Sequence, residues 1–576
     1  MKDFLQLKKN LKKDVSNLPT IRVSVLGDTS TQFLTQALKG LGYDHGYYFD
    51  IQEADFNQIQ RQVYDACSEL YAHQPEIVIL FQSSHKLLEK YNKTALEAHT
   101  LLASDELQEI ENLYHHLTSK LDTTVIYYNY TEIDDAVFGN YSNKIASSFL
   151  FQLRKLNYEL MLFVAEKPNV HLVDLSSIQN HVGKTHFFQP KIYINTEMVL
   201  SIEVLPRVAS KTIDVINSLQ GKSKKCLVLD LDNTLWGGVI GDDGIENIQI
   251  GHLGIGKAFS KFQHWVKKLK ERGVIIAICS KNTDSVAKKP FEEHPDMVLR
   301  LPDISVFVAN WENKADNIRH IQRILQIGFD SMVFLDDNPF ERNMVREHIP
   351  QICVPELPDD PADYLEYLYS QHLFETNSFS NEDKERTKQY QISAKRARSQ
   401  QKFTNEDDFL LSLNMLSKVE PFNEFNAPRV AQLSQRSNQF NLRTVRYTHA
   451  EITKLSTSKE HLTFTFTLED TFGDSGLVCV VILKKENDQT LFIDSWFMSC
   501  RVLKRGMECF VLNTIVNSAI KSNFTTIKGE YIPTLKNEIV KDHYQDLGFK
   551  KQGEYWVIHL ANYPFKDSFV TKKDSL

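Results

Sequence analysis

Leu227–Gly244 reads LVLDLDNTLWGGVIGDDG, an apolar run closed by Asp230 and Asp232 with only Leu231 between them. A short apolar run bounded by turn residues is the pattern of a strand buried on both faces. Two carboxylates at its end repel each other and lose water. Such a pair needs a cation, a shared proton or a reaction to hold it in place.

Three more buried-strand patterns follow in the same segment: VIIAICS from Val274, VFVAN from Val306 and SMVFLDD from Ser331. Between the opening run and VIIAICS, Ala258, Phe259, Phe262, Trp265, Val266 and Leu269 recur at helical spacing, and Gly273 ends that helix. Strands alternating with helices predict a parallel α/β domain over residues 221–375, closing near ICVPELPDDPADY. Each strand pattern ends in a polar cluster. Asp230, Asp232 and Thr234 follow the first, Ser280, Lys281 and Asn282 the second, Lys314 the third, and Asp336, Asp337 and Asn338 the fourth. Open α/β sheets bind ligands outside those strand ends, so the four clusters should converge.

The chemistry that fits is phosphoryl transfer. A carboxylate can attack phosphorus only when its charge is offset, which a hard divalent cation does. Asp230 is the expected nucleophile, and Asp230, Asp232, Asp336 and Asp337 are the expected metal set, with Asp336, nearer the strand end, touching Mg²⁺ directly. Asp232 would protonate the leaving oxygen and then activate water. Thr234, Ser280, Lys281, Asn282 and Lys314 are the expected phosphate ligands, with Lys314 also compensating charge as it builds. A lone DxD fits any solvated turn. Four clusters in order do not.

These motifs resemble the haloacid dehalogenase (HAD) superfamily of aspartyl-phosphate phosphatases, and DLDNTLWGGVIGDDG, CSKN, ANWENKADNI and FLDDNPFERNMV resemble its FkbH family. That resemblance implies a Rossmann-like parallel sheet and a magnesium-dependent enzyme. Such an enzyme removes phosphate from a phosphorylated glycerate and delivers a glyceryl unit to the phosphopantetheine thiol of an acyl carrier protein. The short WGGVIGDDG insertion implies an open cleft. Some glyceryl-loading members carry Cys between the two aspartates where this chain has Leu231, so another acyl phosphate or phosphomonoester stays open as substrate.

Residues 1–220 show strand patterns at IRVSVLG, PEIVILF, TTVIYYNY and VHLVDL, separated by helical stretches such as QIQRQVYDACSELY. A helical pattern from Met198 through Ile216, then Gly221 and a basic KSKK, sets the boundary near 220. GDTS, Gly27–Ser30, resembles the GDS block of SGNH-type esterases, with Thr29 at the nucleophile position, and implies a flavodoxin-like sheet. No Asp-x-x-His follows: Asp174 and His181 are too far apart and His186 is isolated. A degenerate scaffold or docking domain is expected there, with hydrolase activity the lesser alternative.

Residues 376–415 read as a helical connector, EDKERTKQYQISAKRARSQQKF forming an exposed, charged helix. Residues 416–576 read as a further α/β domain with an antiparallel sheet, from strand patterns LTFTFTL, LVCVVILKK, LFIDSWFM and WVIHL and the helix pattern GMECFVLNTIVNSAI. Its basic-glycine turn, Arg501–Gly506, opens into that helix and suits a phosphate of pantetheine or CoA. With Arg505, Asn537 and the Tyr544–Phe549 stretch it resembles the mixed α/β acyl-CoA N-acyltransferase (GNAT) fold. Cys500 is either a small core residue or an acyl-thioester way station.

Composition sets the outer bounds. A chain of 576 residues with 42% hydrophobic residues can build several packed domains. A net charge of −8 gives no basis for nucleic-acid binding, and no uncharged apolar run suits a membrane span. The seven cysteines are scattered without a CxxC pair, and MKDFLQLKKNLKKDV lacks a signal-peptide pattern, so a reduced, cytoplasmic setting is expected. The leading reading is a phosphatase that loads a three-carbon acyl unit onto a carrier protein. The alternatives are a small-molecule phosphatase without carrier loading and a noncatalytic carrier-recruiting scaffold.

Overall fold

The computed structural model describes residues 2–379, 386–400, 402–499, 502–534, 536–561 and 563–573. The chain forms two compact units, Met1–Asn217 and Ser218–Leu576, where the sequence predicts three domains; the last two expected domains share the second unit.

The first unit is built on β1 (Thr20–Gly27), β2 (Tyr48–Glu53), β3 (Ile77–Phe81), β4 (Thr124–Tyr128) and β5 (Val170–Val173). All are parallel, in the order β2-β1-β3-β4-β5, the doubly wound flavodoxin order. Two helical expectations are corrected. The QIQRQVYDACSELY stretch is broken into helices Ile59–Tyr64 and Glu69–His73, because the Asp65 carboxylate accepts a hydrogen bond from the Cys67 amide and turns the chain. The helix expected from Met198 begins only at Leu205. Before it, the Ser201 amide donates to the Phe187 carbonyl instead of to a helical turn, and Pro206 suits the first turn of the helix that follows.

The second unit holds two sheets. The first comprises β6 (Cys226–Leu229), β7 (Ile275–Ser280), β8 (Val306–Ala309) and β9 (Met332–Leu335), all parallel, in the order β8-β7-β6-β9. Side chains alternate across it as the pleat requires. Leu227, Leu229, Ile276 and Ile278 pack with Phe259, Phe262 and Val266 of helix Gly256–Glu271 on one face. Cys226, Val228 and Ala277 pack with Ile318 and Ile321 of helix Lys314–Leu325 on the other. Both faces being covered explains why these strands read as unbroken apolar runs.

The other sheet contains β10 (Met415–Ser417), β11 (Val419–Glu420), β12 (His461–Asp470), β13 (Gly473–Lys485), β14 (Thr490–Met498), β15 (Thr526–Glu530), β16 (Lys550–Gln552), β17 (Tyr555–His559) and β18 (Val570–Lys572). The order is β16-β17-β15-β14-β13-β12-β10-β18, with β11 also on β12. The expected antiparallel sheet is in fact mixed, since β14 pairs with β15, and β10 with β18, in parallel. The crossover between β14 and β15 is helix Met507–Lys521. Their ladder covers only Thr490–Phe492 against Thr526–Lys528. Beyond it, residues 440–442 step between them. The Leu442 amide donates to the Trp496 carbonyl at 3.2 Å, and the Ile532 amide donates to the Leu442 carbonyl at 2.9 Å.

The connector helix, Arg386–Gln400, is not the exposed rod expected from its charge. Tyr390 and Arg396 are buried, Gln391 Nε2 donates to the Pro302 and Ile304 carbonyls, and Arg396 pairs with the buried Asp470 at 2.6 Å. Arg396 thus meets a partner that lies far away in sequence, while Lys388 and Lys395 stay exposed. Among the described residues, no helix is long and apolar enough to cross a membrane.

Candidate active site

The four polar clusters converge at the carboxyl ends of β6–β9. One carboxylate oxygen each from Asp230, Asp336 and Asp337 lie within 4.8 Å of one another. Lys314 Nζ sits 2.9 Å from Asp230 Oδ2 and 2.6 Å from Asp336 Oδ2. Lys314 is 3% exposed, Asp230 6% and Asp336 0%, so these charges interact with little screening. Burial works against the Lys314 ammonium, but Asp230 and Asp336 outweigh it and hold its pKa above the usual lysine range. Burial first, then the Asp230 charge, pushes Asp336 and Asp337 above the usual carboxylate range, with Lys314 opposing.

Local structure fixes each group. The Asn313 side chain caps helix Lys314–Leu325, accepting from the Ala315 amide at 2.7 Å, and so puts Lys314 at the helix start. A cation is unfavourable at that end of a helix dipole, and the facing carboxylates offset it. Asn338 likewise caps helix Pro339–His348, accepting from the Phe340 amide at 2.9 Å, while its own amide donates to Asp336 Oδ1 at 2.9 Å. Two helix N-termini therefore start at the carboxylates, where their free N–H groups suit an anion.

Asp232 does not join the metal set expected for it. Its Oδ1 accepts from Trp236 Nε1 at 2.9 Å and from the Ile240 amide at 3.0 Å, and its Oδ2 accepts from Asn282 Nδ2 at 2.8 Å. Burial raises its pKa above the usual carboxylate range, these hydrogen bonds oppose the rise, and the Asp230 charge adds to it. A carboxyl shifted in this direction suits proton transfer. Asn233, at φ 55°, turns the chain so that Asp232 and Trp236 face each other.

Of the expected phosphate ligands, Ser280 and Lys314 stand at the site. The Ser280 hydroxyl, on a residue 2% exposed, makes no side-chain hydrogen bond among the described residues. Three others serve elsewhere. Thr234 Oγ1 accepts from the Asp337 amide at 3.2 Å, Asn282 orients Asp232, and Lys281 pairs with the buried Glu341 at 2.6 Å. Sequence reading missed Arg342, which is buried and donates to the Asp336 and Asp337 carbonyls at 2.8 and 2.7 Å. It also missed the indole of Trp236. That residue stood in the quoted motif, but only the fold shows its N–H aimed at Asp232.

The flanking expectations fare differently. Thr29 is fully buried, its hydroxyl without a partner, and Asp174 caps helix Leu175–Val182 and accepts from Asn129. His181 lies in the last turn of that helix, and His186, on the surface, lies 3.5 Å from Glu203. The space between Ser83, Ser84 and Asn129 is about 10 Å³, barely a water molecule. In the second unit, Arg505 is held by Asp470 at 3.4 Å and Gly506, at φ 73°, starts the helix. The Glu508 carboxylate accepts from the Lys504 amide at that start. Asn537 is fully buried and consumed by the chain: Nδ2 donates to the Asn441 and Ile532 carbonyls, and Oδ1 accepts from the Thr534 amide. Asn537 is thus engaged within the fold, while Arg505 lines a cavity of about 440 Å³ with Leu503 and Lys504. Cys500 and Arg501 lie outside the described residues.

The donor set fits a hard divalent cation. Three carboxylates face one ammonium, all the donors are oxygen, and Asp230 Oδ1 is a buried acceptor with no partner.

The sequence matches the family described as FkbH, N-terminal domain, over residues 22–217. No curated protein matches it. Among solved structures, the N-terminal part of the protein BF1531 from Bacteroides fragilis, containing a phosphatase domain and complexed with Mg, is 56% identical. That match covers 66% of this chain and 100% of the other, with a TM-score of 0.63. The ribosomal-protein-S18-alanine N-acetyltransferase of Escherichia coli is 12% identical over 26% of this chain and 96% of its own, with a TM-score of 0.21. The spermidine N-acetyltransferase of Vibrio cholerae in complex with CoA and spermine is 12% identical over 25% and 96%, again with a TM-score of 0.21. Those two partial likenesses assign neither ligand nor activity. Identity at the level of the Bacteroides protein, over the whole of that chain, makes this protein a member of the same family, the FkbH-like proteins with a phosphatase domain of the HAD type.

Proposed function

We propose that this protein is a Mg²⁺-dependent phosphatase working through an aspartyl-phosphate on Asp230. The observation that carries the reading is the buried Asp230–Lys314–Asp336–Asp337 cluster with one Asp230 oxygen unpartnered. Bound Mg²⁺, held by Asp230, Asp336 and Asp337, would offset the carboxylate and phosphate charge so that the two can approach. Asp230 attacks phosphorus; the O–P bond to the substrate breaks, and its oxygen takes the proton of Asp232. Water then attacks the aspartyl-phosphate while Asp232 takes back a proton, releasing phosphate. Lys314 and the Ser280 hydroxyl bind the phosphoryl oxygens, and Trp236 and Asn282 hold Asp232 in place.

For the substrate we propose a phosphoglycerate-like three-carbon acid, passed on as an acyl unit to an acyl carrier protein. What supports this is the FkbH resemblance together with an open site. The WGGVIGDDG insertion forms only a short turn with helix Ile240–Asp243, and Trp311 and Phe340, exposed at 73% and 70%, follow β8 and β9. The engagement of Asn537 within the fold, with Leu231 between the aspartates, favours as second reading a small-molecule phosphatase without carrier loading.

Rapid quenching after mixing with Mg²⁺ and 1,3-bisphosphoglycerate, followed by intact-mass measurement, tests the first step. The wild-type chain should carry one phosphoryl group and Asp230→Asn none; equal mass in both would refute the nucleophile. Adding a pantetheinylated carrier tests the second step. Phosphate release without any gain in carrier mass selects the simple phosphatase, and the absence of any Mg²⁺-dependent turnover selects a scaffold.

A further inference from the structure

Lys281 follows Ser280 directly in the chain, yet its ammonium is engaged by another element: Nζ lies 2.6 Å from Glu341 Oε1. Glu341 sits in the first turn of helix Pro339–His348, which starts just after Asp336 and Asp337. The two partners leave from β7 and β9, and β6 lies between those strands. At about 4.8 Å per strand spacing, the pair spans roughly 10 Å across the carboxyl end of β6, where Asp230 stands. It therefore joins the two loops that flank Asp230.

Glu341 is 6% exposed, and its Oε2 is sealed from solvent without a hydrogen-bond partner. A buried carboxylate satisfied on one oxygen is costly, and an apolar side chain of similar size would serve the fold at least as well. Stability does not account for it. Glu341 also stands in the field of the carboxylate centre. Burial pushes the Cys279 thiol of β7 up, Lys314 opposes the rise, and Asp230, Asp336 and Glu341 add to it in that order. Both ends of the pair are tied to the chemistry. Beside Lys281, Asn282 Nδ2 donates to Asp232 at 2.8 Å. Beside Glu341, Arg342 donates to the Asp336 and Asp337 carbonyls. A shift of residues 280–282 against the helix would move Ser280 and Asp232 relative to the metal carboxylates.

We propose that Lys281 and Glu341 are positioning residues that set the distance between the phosphate-binding side of the site and its metal-binding side. Neither side chain touches the substrate. The ion pair holds residues 280–282 against the helix, so that the Ser280 hydroxyl and Asp232 meet a phosphoryl group placed at Asp230. This rests on the phosphoryl chemistry proposed above. It is distinct from phosphate binding by Lys281 itself, because Glu341 would then compete with the phosphate and its removal would tighten binding.

Calorimetric titration of the full chain with inorganic phosphate in the presence of Mg²⁺ reads positioning without turnover. Glu341→Leu should fold as stably as wild type and weaken phosphate binding about tenfold, the worth of one hydrogen bond to a charged group. Glu341→Gln, which keeps the shape and one hydrogen bond, should lose about threefold. Lys281→Arg, which keeps the ion pair, should bind within about twofold of wild type, and Lys281→Met combined with Glu341→Leu should bind no more weakly than Glu341→Leu alone. Tighter or unchanged binding in both Glu341 variants, or a further tenfold loss in the double variant, would overturn the proposal. The same order should appear in kcat/KM in a steady-state phosphate assay. Phosphate binding in this order without any turnover by wild type would refute the phosphatase reading and uphold the pair, whereas a wild-type chain that binds no phosphate with Mg²⁺ would overturn both.

Discussion

Two sheets in this molecule end a parallel strand on an aspartate, and the two aspartates stand in different surroundings. At the end of β1, Asp28 Oδ2 accepts from the Ser83 amide at 2.7 Å, while Oδ1 is sealed from solvent without a partner. Burial pushes its pKa up to about 7, the Ser83 bond opposing and the nearby Lys86 charge contributing least. At the end of β6, Asp230 meets Lys314 directly and stands beside Asp336 and Asp337. Like positions in like sheets therefore differ in what surrounds them. The first carboxyl accepts from the Ser83 amide and has no ion pair with a cation among the described residues. The second has a buried cation, two further carboxylates and two helix starts. A strand-end aspartate becomes reactive through its neighbours, because an isolated buried carboxyl takes up a proton instead of keeping its charge.

The largest effect that could break this comparison is on turnover. Asp230→Asn should lower Mg²⁺-dependent phosphate release by about 10³-fold or more, as loss of a covalent nucleophile does; Asp28→Asn should leave it unchanged, as a steady-state phosphate assay would show. Next in size is Lys314→Met, which leaves three carboxylates around a lost cation. Denaturation in EDTA should show a loss of about 3–5 kcal/mol, partly restored by Mg²⁺. Third, Mg²⁺ at about 100 times its dissociation constant should add about 2.7 kcal/mol to the protection of β6–β9 amides in hydrogen exchange and nothing to β1–β5.

The smallest effect is a pH dependence confined to the first unit. The folded chain binds a proton at Asp28 more tightly than the unfolded chain, whose aspartates titrate near 3.9. Stability of the β1–β5 unit should therefore fall as pH rises from about 4 through 7 and then level off. Asp28→Asn, which keeps an acceptor for the Ser83 amide, should be stabilised relative to wild type at pH 8 and not at pH 4. Equal gains at both pH values would show that the Asp28 carboxyl is not set apart by its surroundings.

Strand-end order was the most legible feature. The apolar runs before Asp230, Ser280 and Asp336 predict buried parallel strands, and all three are strands buried on both faces. Which polar residues face the reaction was less legible. Thr234, Lys281 and Asn282 share the motifs, but their side chains hold the Asp337 amide, Glu341 and Asp232. Arg342 stands inside the quoted FLDDNPFERNMV stretch, but nothing in the sequence shows that its guanidinium folds back onto the Asp336 and Asp337 carbonyls and reaches Glu356. The charged connector misled for the same reason: its composition promised solvent, yet Arg396 has a buried partner 74 residues on, at Asp470.

The sequence by itself determined the elements that depend on local pattern: hydrophobic period, capping residues and the order of carboxylates along the chain. Those features follow from backbone geometry and from the cost of exposing apolar side chains, both of which act over a few residues. Tertiary structure alone decided that Asp232 turns to Trp236 and Asn282 and away from the other carboxylates, that Asn537 is an internal brace, and that Lys281 reaches Glu341. Hydrogen bonds and charges act between groups brought together in space, and partners such as Asp232 and Asn282, or Asn537 and Asn441, lie tens of residues apart.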